Sequence, residues 1–259
     1  MNNQHIVTNT APVVTFVSTG PGDAEFLTQA SSEALQTARK IYCFGRQKGS
    51  TCTSRTLDTL RGLDATMAER AVVIALPMSA ERQAAQEAYD QLTQHLCADH
   101  AGQCPVAVCV EGSANIYASV RYVMQHLDDL GIPYAETAGI PSFVAAATIA
   151  HLSLCEQQER LMVIPGTITA DEIETFLNSN TNLVVMKLSH CSDDIHKCLH
   201  RHPDYQYHYF ENVGTPEQFY SNDINRIAAV KQYPYFSLLV IKPSLRQTES
   251  PEQGHLQTK

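Results

Sequence analysis

The stretch TFVSTGPGDAEFLTQASSEAL, residues 15–35, joins an apolar, β-branched run to a helical pattern through a Gly-Pro-Gly-Asp turn. Gly20 and Gly22 permit backbone angles that other residues avoid, and Pro21 fixes its own φ. Asp23 is a typical N-cap, so we predict that a helix begins directly after it. Such a turn exposes backbone at the carboxyl end of a strand, where open α/β sheets bind ligands. On this stretch alone, an ordinary tight βα turn explains the residues at least as well.

A second loop repeats the arrangement in VAVCVEGSANIYASVRYVMQHL, residues 106–127, where an apolar strand precedes a turn of small residues and an amphipathic helix. Two such loops in one parallel sheet are predicted to line the same edge, because the carboxyl ends of parallel strands lie together. A third small-residue turn follows in ETAGIPSFVAAATIAHL, residues 136–152, between a short extended stretch and an Ala-rich helix.

The first half of the chain alternates β-rich runs with helical patterns, which is typical of an α/β fold. The β-rich runs are residues 13–18, 41–44, 72–76 and 106–111. Apolar residues recur between them at helical spacing, at Leu27, Ala30, Ala34 and Ala38, at Ala85, Ala88, Leu92 and Leu96, and at Ile116, Val120, Val123, Met124 and Leu127. Each of these stripes is expected to pack on the sheet.

Gly and Pro accumulate near residue 136, and the strands that follow are rich in Tyr, His and Phe, at residues 161–164, 182–188, 205–211 and 235–241. This change indicates a domain boundary. We predict an N-terminal α/β domain over residues 12–136 and a C-terminal α/β domain over 137–243, with flexible termini at 1–11 and 244–259.

Charge and composition restrict the partners of this chain of 259 residues. Lys and Arg number 18 against 27 Asp and Glu, which gives a net charge of −9 and no general attraction to nucleic acid or an anionic membrane. The start of the sequence has no secretory pattern, and no apolar run approaches the about 20 residues that span a bilayer. We therefore expect a cytoplasmic protein without a membrane or nucleic-acid partner.

The eight cysteines are scattered without CxxC pairs, at Cys43, Cys52, Cys97, Cys104, Cys109, Cys155, Cys191 and Cys198. They are interpreted as reduced, mostly core thiols. A His-rich segment at residues 190–208 places His196 and His200 on one helix face at the spacing of metal ligands. Without a further ligand at fixed spacing, a solvated helix face is the favoured interpretation, and no metal is predicted.

The three loops carry a resemblance to the tetrapyrrole methylases. GPGDAEFLT, residues 20–28, resembles their GPGD-P-E-L-L-T signature, and VEGSANIYAS, residues 110–119, resembles their E-G-D-P-x-x-Y-G-S loop. AGIPSFVAAA, residues 138–147, is similar to their P-G-I/V-S-S-x-x-A-A-A turn. LVVMKL, residues 183–188, is similar to a strand of their second domain that contains a Met-Lys pair.

Three other segments resemble the precorrin-2 C20-methyltransferase branch of that family. They are LPMSAERQAAQEAYD at 76–90, ENVGTPEQ at 211–218 and PYFSLLVI at 234–241. The resemblance implies a two-domain α/β fold, with a mixed sheet flanked by helices in each domain and a ligand cleft between the domains. It also implies a homodimer that binds S-adenosylmethionine, uses no metal and methylates a ring carbon of a tetrapyrrole in cobalamin biosynthesis.

Carried over position by position, the resemblance also implies the site residues. The cofactor would be bound by Pro21, Gly22, Asp23, Gly112, Ser113, Ala114, Ile116, Tyr117, Pro141, Ser142, Met186, Asn212 and Val213. Glu111, at the end of a strand, is the best carboxylate for a base or orienting group, with a structural bond to the loop that follows as the alternative. Tyr117 is the second catalytic candidate, and it would either pack on the adenine of the cofactor or simply fill the core. The carboxylates of a tetrapyrrole require cations, and the candidates are Arg46, Lys48, Arg121 and Lys187.

Several positions depart from the motifs. Ser113 stands where the family has Asp, Ala114 where it has Pro, and Ala118 where it has Gly, while Ser18 replaces the Gly that begins the first motif. Ala138 stands where the third motif has Pro. Pro141 replaces Ser or Thr there and lacks a backbone donor. An Asp offsets the charge of a cationic ligand, so its loss costs about 1.5–3 kcal/mol if a charged hydrogen bond disappears. The hypothesis is a retained fold with a cofactor site that is weakened, altered or lost.

Three functions follow from these observations. The first is an S-adenosylmethionine-dependent methyltransferase acting on precorrin-2 or its cobalt form. The second is a non-catalytic member that binds a tetrapyrrole, another ligand or a protein partner. The third, a methylase of the same fold acting on RNA or protein, is disfavoured by the acidic composition and by the segments of the C20 branch.

Overall fold

The computed structural model describes residues 13–48, 50–77 and 82–244. Its contacts divide the chain into two units. The first contains the described residues up to Ala146 together with Val213–Pro216, and the second contains Ala147–Asn212 and the described residues from Glu217 onward. The boundary that the sequence suggested, at residue 136, precedes this division. The termini predicted to be flexible lie outside the described residues, except for Ser244.

The first unit is built on a six-stranded sheet. Its strands are β1 (Val14–Ser18), β2 (Lys40–Lys48), β3 (Thr51–Thr53), β4 (Ala71–Pro77), β5 (Val106–Val110) and β6 (Tyr134–Glu136). β4, β2, β5, β1 and β6 lie side by side and parallel, and β3 pairs antiparallel with the end of β2. Ser18 is in register with Val110, so β1 and β5 end at the same level, as the sequence predicted.

Helices cover both faces of this sheet. They are α1 (Gln29–Thr37), α2 (Arg55–Leu63), α3 (Ala65–Glu69), α4 (Arg82–Ala101), α5 (Arg121–Asp129) and α6 (Ser142–Ile149), the last of which contains the division between the units. Alternate residues of β5 enter different cores: Val106 and Val108 pack with residues of α4 and α5, whereas Ala107 and Cys109 pack with residues of α1 and α2. A strand buried on both faces must be apolar throughout, and β5 is.

The second unit has a five-stranded sheet in the order β10-β9-β11-β8-β7. Its strands are β7 (Arg160–Ile164), β8 (Thr181–Met186), β9 (Gln206–Glu211), β10 (Phe219–Ser221) and β11 (Ser237–Lys242), and all neighbours are antiparallel except β7 and β8. The helices are α7 (Ala170–Asn178), α8 (Ser192–Arg201) and α9 (Ile224–Ala228), and their apolar residues share one core with the sheet. The predicted mixed α/β class, with two sheets flanked by helices, is confirmed.

The first helix corrects two details of the sequence prediction. Asp23 caps only a 3-10 turn at Ala24–Phe26, and α1 begins later, with Thr28 as its N-cap. The predicted stripe placed Ala30 inside, but Ala30 is exposed and the buried residues are Ser31 and Leu35. The polar Ser31 interrupts the apolar stripe from which the buried face of α1 was predicted. The hydrogen bonds of its hydroxyl group are described with the site below.

The cysteines are less buried than predicted. All eight are free thiols, as expected, but only Cys43, Cys109, Cys191 and Cys198 lie in the core, and Cys52 and Cys155 are exposed. In the described part of the chain, no helix is both long and apolar enough to cross a membrane.

Candidate functional site

The first two loops are joined backbone to backbone. Just beyond β1 and β5, the amide of Gly20 donates to the carbonyl of Gly112 at 3.1 Å, and the amide of Gly112 donates to the carbonyl of Gly20 at 2.7 Å. The amide of Thr19 donates to the carbonyl of Val110 at 2.8 Å. The GPGD turn and the EGS turn therefore form one structure at the carboxyl edge of the sheet.

The two glycines that join the loops share a backbone conformation but have different surroundings. Gly20 and Gly112 both have φ of +72°, a conformation that favours glycine. A Cβ on Gly20 would lie 2.6 Å from the Cβ of Phe26, whereas a Cβ on Gly112 would meet no protein atom within 4 Å. The space that a side chain at position 112 would occupy is therefore open, and a ligand could approach the backbone there.

The third loop lies against the other two. A Cβ on Gly139 would lie 2.3 Å from the Cβ of Ser18 and 2.4 Å from the carbonyl oxygen of Gly112, so only glycine allows this contact. The amide of Ser18 donates to the hydroxyl of Thr137 at 3.1 Å, and the hydroxyl of Ser31 donates to the carbonyl of Ser18 at 2.8 Å. The hydroxyls of Ser31 and Thr137 are 2.8 Å apart. A buried hydroxyl network therefore connects α1, the end of β1 and the third loop.

Two of the motif departures contact each other. The backbone N–H of Ala114 donates to the side-chain oxygen of Ser18 at 3.0 Å, and both residues are fully buried. Proline at position 114 has no N–H and glycine at position 18 has no hydroxyl, so the residues of the family motif could not form this bond.

The rest of the second loop presents side chains outward. Ile116 is 36% exposed and Tyr117 46% exposed, with Tyr117 at φ of +49°. Ser113, by contrast, is only 8% exposed, and its hydroxyl oxygen accepts the amide of Asn115 at 3.4 Å. The position that carries a carboxylate in the family motif therefore carries a buried, neutral hydroxyl here.

The other two loops keep their predicted residues at this edge. Pro21 is buried and Asp23 exposed, where Asp23 accepts the amide of Glu25 at 2.9 Å. Ser142 begins α6 and Pro141 directly precedes it, and the carbonyl of Pro141 accepts the amide of Val144 at 3.0 Å. Because the first amides of a helix have no partner within it, the fold accommodates proline here at little cost.

Glu111 follows β5 directly and faces a guanidinium. Its carboxylate lies 3.3 Å from Nε of Arg55, the first residue of α2. Burial raises the pKa of the Glu111 carboxyl, and the nearby charges of Arg55 and Arg46 act in the opposite direction. Arg55 was not predicted as a site residue, because a Ser-Arg pair at the start of a helix is indistinguishable from an ordinary cap and first turn.

The predicted cations occupy different surroundings. Arg46, near the end of β2, belongs to the electrostatic neighbourhood of Glu111. Arg121 forms an ion pair with Glu136 at 3.6 Å. The side chain of Lys48 lies outside the described part of the structure.

The remaining predicted residues lie at or near the ends of strands of the second unit. Met186 ends β8 and is half-buried. Lys187 follows at φ of +56°, and its ammonium lies 5.8 Å from the ring centre of Tyr235. Asn212, at φ of +48°, donates its amide to the carbonyl of Phe236 at 2.9 Å. Val213 is buried and belongs to the first unit.

The His-rich segment is packed with aromatic rings. His196 lies 2.9 Å from the carbonyl of Val230 and stacks on Tyr233 at 5.2 Å, while His200 is exposed. Half of the predicted solvated face is therefore in contact with protein. Among the described residues, no group of three or more His, Cys, Asp or Glu side chains is arranged to hold a metal ion.

The fold and the joined loops agree with a match to a known family. The family described as tetrapyrrole (corrin/porphyrin) methylases matches residues 13–227, which is most of the chain, and the chain belongs to this family. Members of the family use S-adenosylmethionine.

Individual relatives are distant in sequence. A probable cobalt-precorrin-2 C(20)-methyltransferase of Methanocaldococcus jannaschii is 21% identical over 179 residues, which cover 69% of this chain and 74% of the relative. Among solved structures, a cobalt precorrin-4 methyltransferase superposes with a TM-score of 0.64 at 11% identity, covering 88% of this chain and 94% of that one. Uroporphyrin-III C-methyltransferase of Thermus thermophilus, complexed with S-adenosylhomocysteine, superposes with a TM-score of 0.57 at 18% identity. That match covers 88% of this chain and 96% of the other.

Proposed function

We propose that this protein is an S-adenosylmethionine-dependent C-methyltransferase that acts on a tetrapyrrole, with precorrin-2 or its cobalt form as acceptor at C20. Family membership supports the reaction class, and the relative from Methanocaldococcus jannaschii supports the acceptor. The reciprocal bonds between Gly20 and Gly112 carry the proposal, because they join two of the predicted donor-binding loops into one edge.

The residues at this edge fit a small molecule held by backbone. Gly112 borders open space that a Cβ would enter, and the exposed side chains of Ile116 and Tyr117 belong to the same loop. S-adenosylmethionine would supply a methyl group already activated by its positive sulfur. In the first unit, the proposed contacts are Pro21, Gly22, Asp23, the Gly112–Ala114 turn, Ile116, Tyr117, Pro141, Ser142 and Val213. Contacts from Met186 and Asn212 remain predictions of the resemblance.

The protein itself would contribute two things: it would position the methyl donor and the acceptor, and it would supply one base. Fixing two reactants in line supplies much of the acceleration in a bimolecular transfer, and the hydrogen bonds among the three loops give a rigid edge for that task. Glu111 is the proposed base that accepts the proton from the methylated carbon. Its neighbours Arg55 and Arg46 favour the ionised form that a base requires. Tyr117 would orient the acceptor beside it.

The substrate would be held through its carboxylates. Arg46, Lys48, Arg121 and Lys187 are the proposed contacts, since guanidinium and ammonium groups pair strongly with carboxylates. To bind a substrate carboxylate, Arg121 would have to give up its ion pair with Glu136. That pair is 3.6 Å long and lies at the surface, so breaking it would cost little. Homodimeric assembly remains a prediction of the resemblance, and a cytoplasmic location remains a prediction from the sequence patterns.

The second candidate is a member of the family that binds a ligand without transferring a methyl group. The buried, neutral Ser113 favours it, because no carboxylate at this position offsets the charge of the methyl donor. The two candidates predict different results with isotopically labelled methyl donor and cobalt-precorrin-2. Transfer of label to the macrocycle, abolished by Glu111→Gln, supports the enzyme. Binding of either ligand without transfer supports the second candidate.

A further inference from the structure

Arg55 lies at a fixed position beside the three joined loops. It is the first residue of α2, whose N-cap is Ser54. The hydroxyl of Ser54 donates to the carbonyl of Phe44 at 2.7 Å, which ties the start of the helix to β2. The side chain of Arg55 is only 19% exposed. A long cation held this far from solvent needs several partners within the protein.

The guanidinium of Arg55 contacts three separate segments. One terminal nitrogen donates to the carbonyl of Pro21 at 3.3 Å and to the carbonyl of Val213 at 3.4 Å. Nε lies 3.3 Å from the carboxylate of Glu111. One planar group thus reaches the GPGD turn, the segment 213–216 and the end of β5.

A second residue of α2 holds the next carbonyl of the GPGD turn. Thr59, one helical turn after Arg55, donates its hydroxyl to the carbonyl of Gly22 at 2.5 Å. A Cβ on Gly22 would lie 2.5 Å from the carbonyl oxygen of Gly214, so the turn also packs closely against the segment that Arg55 holds through Val213. Two consecutive carbonyls of the turn are therefore directed toward α2.

We propose that Arg55 is a positioning residue that fixes the GPGD turn, the Val213 segment and the Glu111 carboxylate relative to one another. The inference rests on the proposed function, because these are segments assigned to the methyl donor and the base. The contacts are with a carboxylate and two carbonyls of the protein itself, so Arg55 acts through other residues and is distinct from the proposed substrate cations.

The geometry requires arginine in particular. A guanidinium presents donors in fixed directions, so one terminal nitrogen can donate to two carbonyls while Nε lies beside the Glu111 carboxylate as an ion pair, whereas an ammonium is a point charge on a flexible stem. Arg55→Lys therefore keeps a positive charge near Glu111 but loses the connection between the segments. Arg55→Met removes both. Arg61 on the same helix is a matched control, because it is 60% exposed and pairs with Asp58 at the surface at 2.7 Å.

The test combines calorimetric titration with S-adenosylhomocysteine and amide hydrogen exchange on the full chain. All variants are measured at a temperature where thermal unfolding shows them folded, so a loss of stability alone does not change the affinity. We expect Arg55→Lys and Arg55→Met to bind at least about tenfold more weakly than the wild type, with faster exchange in residues 19–23 and 112–114. Arg61→Met is expected to bind within about twofold of the wild type and to exchange normally.

The outcomes separate this inference from the proposed function. Unchanged affinity and unchanged exchange in Arg55→Lys would overturn the positioning role while leaving the methyl donor assignment intact. If the wild type does not bind S-adenosylhomocysteine, the assignment of the donor fails, and exchange alone decides the role of Arg55. Faster exchange confined to the two loops then supports it, and unchanged exchange refutes it.

Discussion

The side-chain oxygen of Ser18 accepts the backbone N–H of Ala114 at 3.0 Å. Both residues depart from the family motif. Ser18 supplies the hydroxyl oxygen that accepts the buried amide of Ala114, and Ala114 supplies the amide that donates to the buried hydroxyl of Ser18. Two departures that looked independent in the sequence are one interaction in the structure. The amide of Ala114 in the altered loop is therefore paired with the end of β1, so the loss of the motif proline has added a bond that holds the loop.

This pairing predicts a non-additive effect on stability. Ser18→Gly leaves the buried amide of Ala114 without its acceptor and is expected to cost about 1–3 kcal/mol in the free energy of unfolding. Ala114→Pro in the wild type removes the donor and is expected to destabilise as well. Combined with Ser18→Gly, the proline should cost less than the sum of the single changes. Urea unfolding of the four proteins in the cycle measures the coupling, and strict additivity would show that the bond contributes nothing.

The two glycines that join the loops should respond differently to alanine. Both have φ of +72°, so each substitution carries a conformational cost of about 1–2 kcal/mol. Gly20→Ala adds overpacking against Phe26, 2.6 Å away, at about 1–3 kcal/mol more. Gly112→Ala meets no protein atom and should instead weaken the binding of S-adenosylhomocysteine. Unfolding and titration of both variants test this, and equal stabilities would contradict the steric argument.

The hydroxyl of Thr137 should contribute measurably to stability. Thr137→Val keeps the shape of the side chain but removes the oxygen that accepts the amide of Ser18 at 3.1 Å. Leaving that buried amide unpaired is expected to cost about 1–3 kcal/mol in the free energy of unfolding. Thr51→Val, at an exposed position of β3, is the control and should change stability by less than about 0.5 kcal/mol. Similar effects of the two substitutions in urea unfolding would argue against the network.

The proposed base predicts the direction of a pH effect. Burial raises the pKa of Glu111, and a base must be ionised, so kcat/KM should rise with pH through a value above the ordinary range of glutamate, about 4.3. Arg55→Met removes a charge that lowers this pKa, so the acidic limb of the profile should move to higher pH. Arg61→Met should not move it. A limb that persists in Glu111→Gln would assign the ionisation to another group.

Much of the fold was predictable, because it follows from repeating apolar patterns. The eight longer strands and the α/β order were evident in runs such as VAVCVE, and small-residue turns marked all three loops. Of the three-residue strands, β3 and β10 were missed and β6 was predicted only as a short extended stretch, since so short a run has no periodicity. The start of α1 was misplaced because Asp23 and Thr28 are both good N-caps, and the sequence alone does not indicate which one begins the longer helix.

The site was less predictable, because its contacts join residues distant in the chain. Ser18 and Ala114 are 96 positions apart, and Arg55 and Val213 are 158 apart. No local pattern reports such a pair. Ser31 is an example. The apolar pattern predicted that its neighbour Ala30 is buried, whereas Ser31 is buried and donates its hydroxyl to the end of β1, 13 positions away.

The most direct test of the account is calorimetric titration of the unmodified protein with S-adenosylhomocysteine. We predict saturable binding in the micromolar range, with about one ligand per chain, because the loops are joined and internally satisfied despite Ser113, Ala114 and Pro141. The matched comparison is the variant that combines Ser18→Gly, Ser113→Asp and Ala114→Pro. If only that variant binds, the wild-type edge no longer accepts the methyl donor, and the proposed activity is wrong.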